Sequence, residues 1–371
     1  MRGMQNFILE LELKSPIHIG IGSDNNYPAY AYIPDLERGD VVLLDSSRLV
    51  AELDEDRLQL FLRAVAEGPA RAQRLLRSWY EEGVMLPEVD RIPASRAFLN
   101  ATSEVTDQAE LEFRPLPRNP NGPYLPGSSV KGALRTAWLY YKLQPEVKNN
   151  DLVYDRRNNK WSPGPERPEG VLKHGKGGLR AAQALEAYAF SYQEKEGSLD
   201  MHRDPFRAVR LGDSQELAAT RLERIGVVHP KSKLSGVVIL AEVMPEGSRL
   251  NIPFRYHEAL AKERVVSQEV DLIELQDAAY SFYLGVLQED LMYAENNNWI
   301  KAVEFYQSLE GQLADSDELF LIRLGFGSGK LANTLLFLMN EPSPKTRKSA
   351  GSSEPTMGMP LGWAVARLKE V

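Results

Sequence analysis

The chain has 371 residues, 44 Lys and Arg against 52 Asp and Glu, a net charge of −8, 43% hydrophobic residues and no cysteine. Such a composition suits one large or two ordinary globular domains with a core that needs no staples. The missing thiols exclude disulfides, cysteine-based zinc sites and thiol catalysis, and the acidic balance excludes coating of nucleic acid by bulk charge while leaving room for a local basic groove. The opening "MRGMQNFILELELKS" holds no apolar run of signal-peptide length, since Glu10 and Glu12 interrupt it, and no segment resembles a membrane span. A cytoplasmic protein is expected.

Phe7, Leu9, Leu11 and Leu13 alternate with polar neighbours, which predicts a half-buried strand running into the loop "SPIHIGIGSDNN". "VVLLD" (41–45) predicts a second strand. A helix follows, with Ser46 or Ser47 as its cap and Leu49, Leu53, Leu60 and Val65 near helical spacing; another helix is expected over 70–82. Prolines recur from 86 to 126 and predict loops and short extended pieces. Next comes a helix ending near Leu143, marked by Pro145. A polar, basic, Gly- and Pro-rich loop (149–178) leads to a helix over 179–192. "DPFRAVRLGDS" reads as a strand and turn. "RLERIGVVHP" and "SGVVILAEVMPEGSRLNIPFRY" read as strands, with "PEGS" as a hairpin turn. Two long helices cover 271–296 and 299–314, "ELFLIRLGFGSGK" is a strand entering a glycine loop, and 341–355 is a basic, low-complexity linker expected to be disordered. "MPLGWAVARLKEV" closes the chain as a strand. The pattern is α+β with antiparallel pairs, and a change of texture places a domain boundary near residue 200, dividing 1–200 from 201–371.

Two stretches invite phosphate. In "YLPGSSVKGALRTAWLYYK" (124–142), Gly127 to Gly132 match the first half of a phosphate-binding loop, but Ala133 and Leu134 stand where Lys and Ser/Thr are required. What remains is a helix start with Ser128 or Ser129 as cap and free amides at the positive end of the dipole. Val130, Ala133, Leu134, Ala137, Trp138 and Tyr141 form one apolar face. Lys131 and Arg135, four apart, share an exposed one, and Gly132 admits a neighbouring backbone. An ordinary capped amphipathic helix accounts for the same residues. In "RLGFGSGK" the spacing of Gly325, Gly327 and Gly329 is not that of a dinucleotide-binding turn, but such a bend can wrap a phosphodiester through its N–H groups with Arg323 and Lys330 alongside. A plain flexible connector fits equally well.

Taken in order, "SPIHIGIGS", "YLPGSSVKGALRTA", "DPFRAVRLGDS", "LIRLGFGSGK" and "PLGW" resemble the motifs of the CRISPR-associated RAMP superfamily, and within it the fifth-subunit family of the type III-A Csm effector complexes. The resemblance implies ferredoxin-like (RRM-like) β-α-β-β-α-β cores with inserted hairpins, and a subunit that caps the backbone filament near the 3′ end of the guide RNA (crRNA) without cutting the target. It implies that Ser128, Ser129, Lys131 and Arg135 grip guide phosphates, that Arg323, Gly325, Gly327, Gly329 and Lys330 form an RNA-binding loop, and that 149–178 reaches the guide–target RNA duplex. Both bends would then clasp one strand without reading its bases. The implied partners are crRNA, the target duplex and the other subunits of the complex. The acidic helices offer a surface to a nuclease that trims the guide's 3′ end. No membrane contact and no cofactor are implied.

Chemistry has two candidates. Asp24, after "GIGS", sits where related cutting subunits carry an acidic loop residue and could bind magnesium, although "SDNN" reads equally as a turn. His18, beside a glycine loop, could act as general base on a ribose 2′-OH in a metal-independent endoribonuclease that processes guide precursors, or simply pack or stack on RNA. The sequence therefore supports a non-catalytic guide-binding subunit, favours packing for His18, and leaves as alternatives the nuclease and a protein-interaction module built on the helices of 271–314.

Overall fold

The computed structural model describes residues 3–103, 111–149, 152–155, 157, 160–163, 181–190, 200–229, 239–314, 316–339, 344–350 and 358–371. Strand β1 (Met4–Leu13) buries Leu9, Leu11 and Leu13 and turns Glu10 and Glu12 outward, as its period of two requires. Strands β2 (Tyr32–Asp35), β3 (Asp40–Leu44) and β4 (Glu88–Pro93) form a three-stranded antiparallel sheet. Val42 and Leu44 face helices α1 (Ser46–Glu52), α2 (Glu55–Glu67) and α3 (Pro69–Glu81), while Val41 and Leu43 face Phe98 and Leu99 of α4 (Arg96–Ser103). The sequence pointed to one helix here, capped by a serine. Instead Asp45 caps α1 through the N–H groups of Ser47 and Arg48, and Asp54 starts α2 by accepting from Arg57 N. A carboxylate neutralises two orphan amides at once and suits the positive end of the dipole, so it outcompetes the adjacent hydroxyls.

Beyond β5 (Phe113–Arg114) and a small hairpin of β6 (Arg118–Asn119) and β7 (Gly122–Pro123) lies α5 (Gly127–Lys148). It runs past Leu143 and carries Pro145 in its last turn, where the helix ends three residues later. Within the segment predicted as a basic loop, β8 (Leu152–Asp155) and β9 (Lys160–Pro163) pair as a hairpin; the remainder, 164–178, lies outside the described residues. Helix α6 (Ala181–Phe190) follows, then β10 (Val209–Leu211), β11 (Arg221–Val228), β12 (Ile239–Val243), β13 (Arg249–His257) and α7 (Glu258–Lys262). Helices α8 (Leu272–Asn296) and α9 (Ile300–Ala314) stand where helical spacing put them, and Asp271 caps the first. The chain ends with β14 (Phe320–Arg323), α10 (Gly329–Asn333), α11 (Leu336–Met339), β15 (Arg347–Ala350), β16 (Met359–Pro360) and β17 (Trp363–Glu370).

The central sheet has the order β10-β13-β1-β17-β14, with every neighbouring pair antiparallel. Taken along the chain, β1, α5, β10, β13, α8 and β17 are a β-α-β-β-α-β unit, and their strands lie side by side as second, third, first, fourth. That is the ferredoxin-like arrangement, widened by β14 at one edge. Helices α5, α8 and α9 cover one face with a core that includes Trp138, Phe206, Phe254, Phe282, Tyr283 and Trp363. The texture boundary near residue 200 falls inside this sheet, because β1 from before it pairs with β13 and β17 from after it.

A second sheet, β16-β15-β11-β12-β5, takes in β12 but not β13. The "PEGS" turn therefore passes the chain from one sheet to the other and is not a hairpin; Leu13 N donates to Ser248 O at that crossing. Arg347–Ala350, expected to be disordered, pairs with β11 as β15. Residues 341–343 and 351–355 of that linker lie outside the described residues.

Candidate nucleic-acid interface

At the start of α5 the backbone closes before any ligand is needed. Pro126 is the N-cap and no side chain bonds there, so neither Ser128 nor Ser129 caps the helix. The amide of Gly127 donates to the Asp213 carboxylate at 2.9 Å. A carboxylate thus already holds the first of the orphan donors. A Cβ on Gly127 would stand 2.1 Å from Gly212 O, whereas one on Gly132 would meet nothing within 4 Å. The close backbone approach belongs to Gly127, not Gly132.

The two cations of this helix also have protein partners. Arg135 is mostly enclosed and donates to Asp204 at 2.9 Å and Glu186 at 2.8 Å, with its guanidinium 4.8 Å from the Phe190 ring centre and 5.3 Å from that of Phe206. Lys131 is half-buried and donates from Nζ to Val209 O at 2.8 Å, where it covers a carbonyl of the edge strand β10. Desolvation foremost, with Arg135 and Arg210 adding to it, lowers its pKa. The expected exposed cationic face is a tether of α5 to β10 and α6. Of the predicted apolar face, all but Tyr141 is buried.

The glycine loop differs. Gly325, Gly327 and Gly329 all have positive φ, at 74°, 97° and 78°. A Cβ on Gly325 would lie 2.2 Å from His18 O, and one on Gly327 2.7 Å from the Leu361 side chain, so these glycines are fixed by strain and packing. Phe326 N donates to His18 O at 2.8 Å, which ties the two predicted glycine-containing segments together. Arg323 does not flank the loop in solvent. It is buried, donates to Asp290 Oδ2 at 2.6 Å and lies 4.8 Å from the Trp363 ring centre; Arg347 reaches Asp290 Oδ1 at 2.8 Å. This ion group pins α8, β14 and β15 together.

That anchoring leaves a cleft of about 530 Å³ between the loop with α10 and the segment 344–348. Lys330, Lys345 and Lys348 line it. Lys330 and Lys345 are exposed. Lys348 also belongs to a cluster at the base of the loop. The Phe326 ring packs against the cluster of Ile225, Ala241, Ala350 and Leu361, with Arg114 4.8 Å and Lys348 Nζ 3.7 Å from its centre. Neither cation has an ion-pair partner among the described residues. Desolvation first, then Arg114, lowers the pKa of Lys348. Two half-buried like charges on one ring, beside exposed lysines, make a site that an anion would relieve.

His18 is buried at this junction. Its Nδ1 lies 2.7 Å from Glu242 O and Nε2 has no partner; burial, opposed by that hydrogen bond and assisted by Arg114, lowers its pKa to about 4. It meets Phe326 edge-on with ring centres 6.0 Å apart. Such an imidazole is a weak base behind a packed loop and serves as a spacer between the loop and β12. Asp24 is exposed in a short turn, with Ser23 Oγ 3.4 Å away. The two predicted phosphate sites start from opposite edge strands of the central sheet, β10 and β14, and α10, which follows the glycine loop, packs against α5. Lys131 bonds at the rung of Val209, Tyr256 and Gln5, while the glycine loop leaves the sheet past Arg323 and Trp363, beyond the Leu13 rung.

A model of the RAMP superfamily matches residues 10–332. The chain belongs to the RAMP superfamily. A protein of Methanocaldococcus jannaschii described as "CRISPR system Cms protein Csm5" is 24% identical, over 89% of this chain and 73% of that protein. Among solved structures, a chain of the cryo-EM structure of a Csm–crRNA–target RNA ternary complex in a type III-A CRISPR-Cas system is similar with a TM-score of 0.68 and 21% identity, covering 97% of this chain and 100% of that one. The crystal structure of T. onnurineus Csm5 is similar with a TM-score of 0.64 and 20% identity, covering 96% and 99%. These structural likenesses carry the RAMP fold. Arg114, Phe326, Lys345 and Lys348 were missed from sequence; the signals were a phenylalanine between two loop glycines and the basic run "PKTRK".

Proposed function

We propose that this RAMP protein is a subunit of a type III-A CRISPR effector complex that binds guide RNA without cutting it and closes the backbone filament near the guide's 3′ end. The observation that carries the reading is the cationic cleft at the glycine loop, lined by Lys330, Lys345 and Lys348, the last of which shares the Phe326 ring with Arg114 at the base of the loop. Guide sequences vary, so a subunit that holds any guide must grip phosphate and ribose and leave the base edges alone. A few lysines and arginines on a rigid bend do that. Phe326 holds two of those cations, Arg114 and Lys348, over its ring at the base of the loop. The superfamily membership and the likeness to chains named Csm5 support the choice of complex.

His18 does not serve as a base in this reading, because its unpartnered Nε2 is sealed from solvent and its proton affinity is low. The test is a tandem purification of the tagged chain from its own cells with sequencing of the bound RNA, alongside incubation of the purified protein with repeat RNA with and without EDTA. Guide RNA recovered with the other subunits and intact repeat RNA are expected. Repeat cleavage that His18→Ala abolishes would replace this reading by the nuclease.

A further inference from the structure

We propose that Arg210 and Arg255 form a second contact for the RNA phosphodiester backbone at the corner of the central sheet remote from the glycine loop. The inference rests on the RNA-binding reading above and adds a contact to it. Arg210 on β10 and Arg255 on β13 are direct cross-strand partners in an antiparallel pair. Both are exposed, on the sheet face opposite the helices. Residues so paired stand about 5 Å apart at Cα, and like charges there destabilise the sheet. Neither arginine has an ion pair among the described residues, although the chain carries 52 carboxylates.

The rest of that face is balanced. Glu10 meets Lys369, Glu12 meets Lys14 and Arg249, and Arg367 meets Glu318. Among the described residues of this face, the β10 corner keeps an unmatched pair. The same two guanidiniums, after desolvation, lower the pKa of His257, two residues from Arg255, and Arg210 does so for Lys131. At His257 the two arginines are the charges that act, while at Lys131 the Asp204 carboxylate opposes Arg210. The ligand this fits is a bridging oxyanion, which two forked guanidiniums bind better than lysines do. The outward positions of β13 carry no Phe, Tyr or Trp, and the carboxylates at the far end of the face confine the contact to this corner.

The test measures binding of a labelled single-stranded RNA across a salt series for wild type, Arg210→Gln/Arg255→Gln, and Arg114→Ala/Lys348→Ala. Removing two phosphate contacts is expected to flatten the slope of log affinity against log salt by about 1.4, at about 0.7 per contact. Arg255→Gln alone relieves the repulsion, so its melting temperature should rise at low salt and converge on wild type at high salt; this also shows that the fold survives. An unchanged slope in the Arg210/Arg255 variant, with the other variant flattened, overturns this inference alone. If neither variant changes the slope, the RNA-binding reading fails with it. Loss of complex assembly with an unchanged RNA slope assigns the pair to a protein partner and overturns the inference too.

Discussion

The start of α5 and the loop at 325–329 share a composition and differ in what their residues have left to offer. Both join glycine, serine and cations at the edge of a helix. At α5 the glycine packs on Gly212, its amide goes to Asp213, Arg135 is held by two carboxylates and Lys131 by a backbone carbonyl. At the loop Gly325 and Gly327 are equally committed to packing, and Arg323 is buried with Asp290, but Lys330, Lys345 and Lys348 line an open cleft and Arg114 has no ion-pair partner among the described residues. Among the described residues, only the loop keeps a motif cation, Lys330, whose charge has no ion-pair or hydrogen-bond partner.

The contrast can be broken most severely at Asp290. Asp290→Ala leaves Arg323 and Arg347 without their shared carboxylate and should cost about 3–5 kcal/mol, read as a drop in the denaturant midpoint. Retention of wild-type stability would mean the loop is not anchored from beneath. Gly325→Ala adds a Cβ against His18 O at a positive φ, and a loss of about 3 kcal/mol is expected together with loss of RNA binding. Gly127→Ala should destabilise comparably through Gly212 O, yet leave the affinity of the folded fraction intact.

A smaller effect sharpens the role of His18. Its folded pKa lies below the ordinary 6.5, so the unfolded chain binds the proton first as the pH falls. Stability present above pH 6.5 is lost between there and about pH 4, amounting to about 2 kcal/mol by pH 5. Denaturation at pH 7.5 and pH 5 should show this loss in wild type and a reduced loss in His18→Gln; equal losses would remove His18 from the account. The smallest effect is favourable. Gly132 is exposed in mid-helix with empty space around its Cβ position, so Gly132→Ala should add up to about 1 kcal/mol, and a loss would contradict the described packing.

What could be read from the sequence was local. The alternation of β1, the spacing of α8 and α9 and the strand-to-loop step at Arg323 each follow from neighbours within a few residues. Sheet membership did not, because β12 and β13 are joined by a tight turn but find their partners elsewhere in the chain. Charge was misread for the same reason. Arg135 meets acids 51 and 69 residues away and Arg323 meets one 33 residues away, so helical position and loop flanking marked both as surface cations. Lys348 was hidden by its setting, a Pro-, Ser- and Lys-rich run whose composition suggests disorder although four of its residues complete a sheet.

The most direct measurement is the salt dependence of RNA affinity for Arg114→Ala/Lys348→Ala beside Arg135→Met, each checked for folding. A flatter slope by about 1.4 in the first and an unchanged slope in the second is the predicted result. The reverse pattern, with the α5 cation setting the slope and the Phe326 cluster silent, would contradict it.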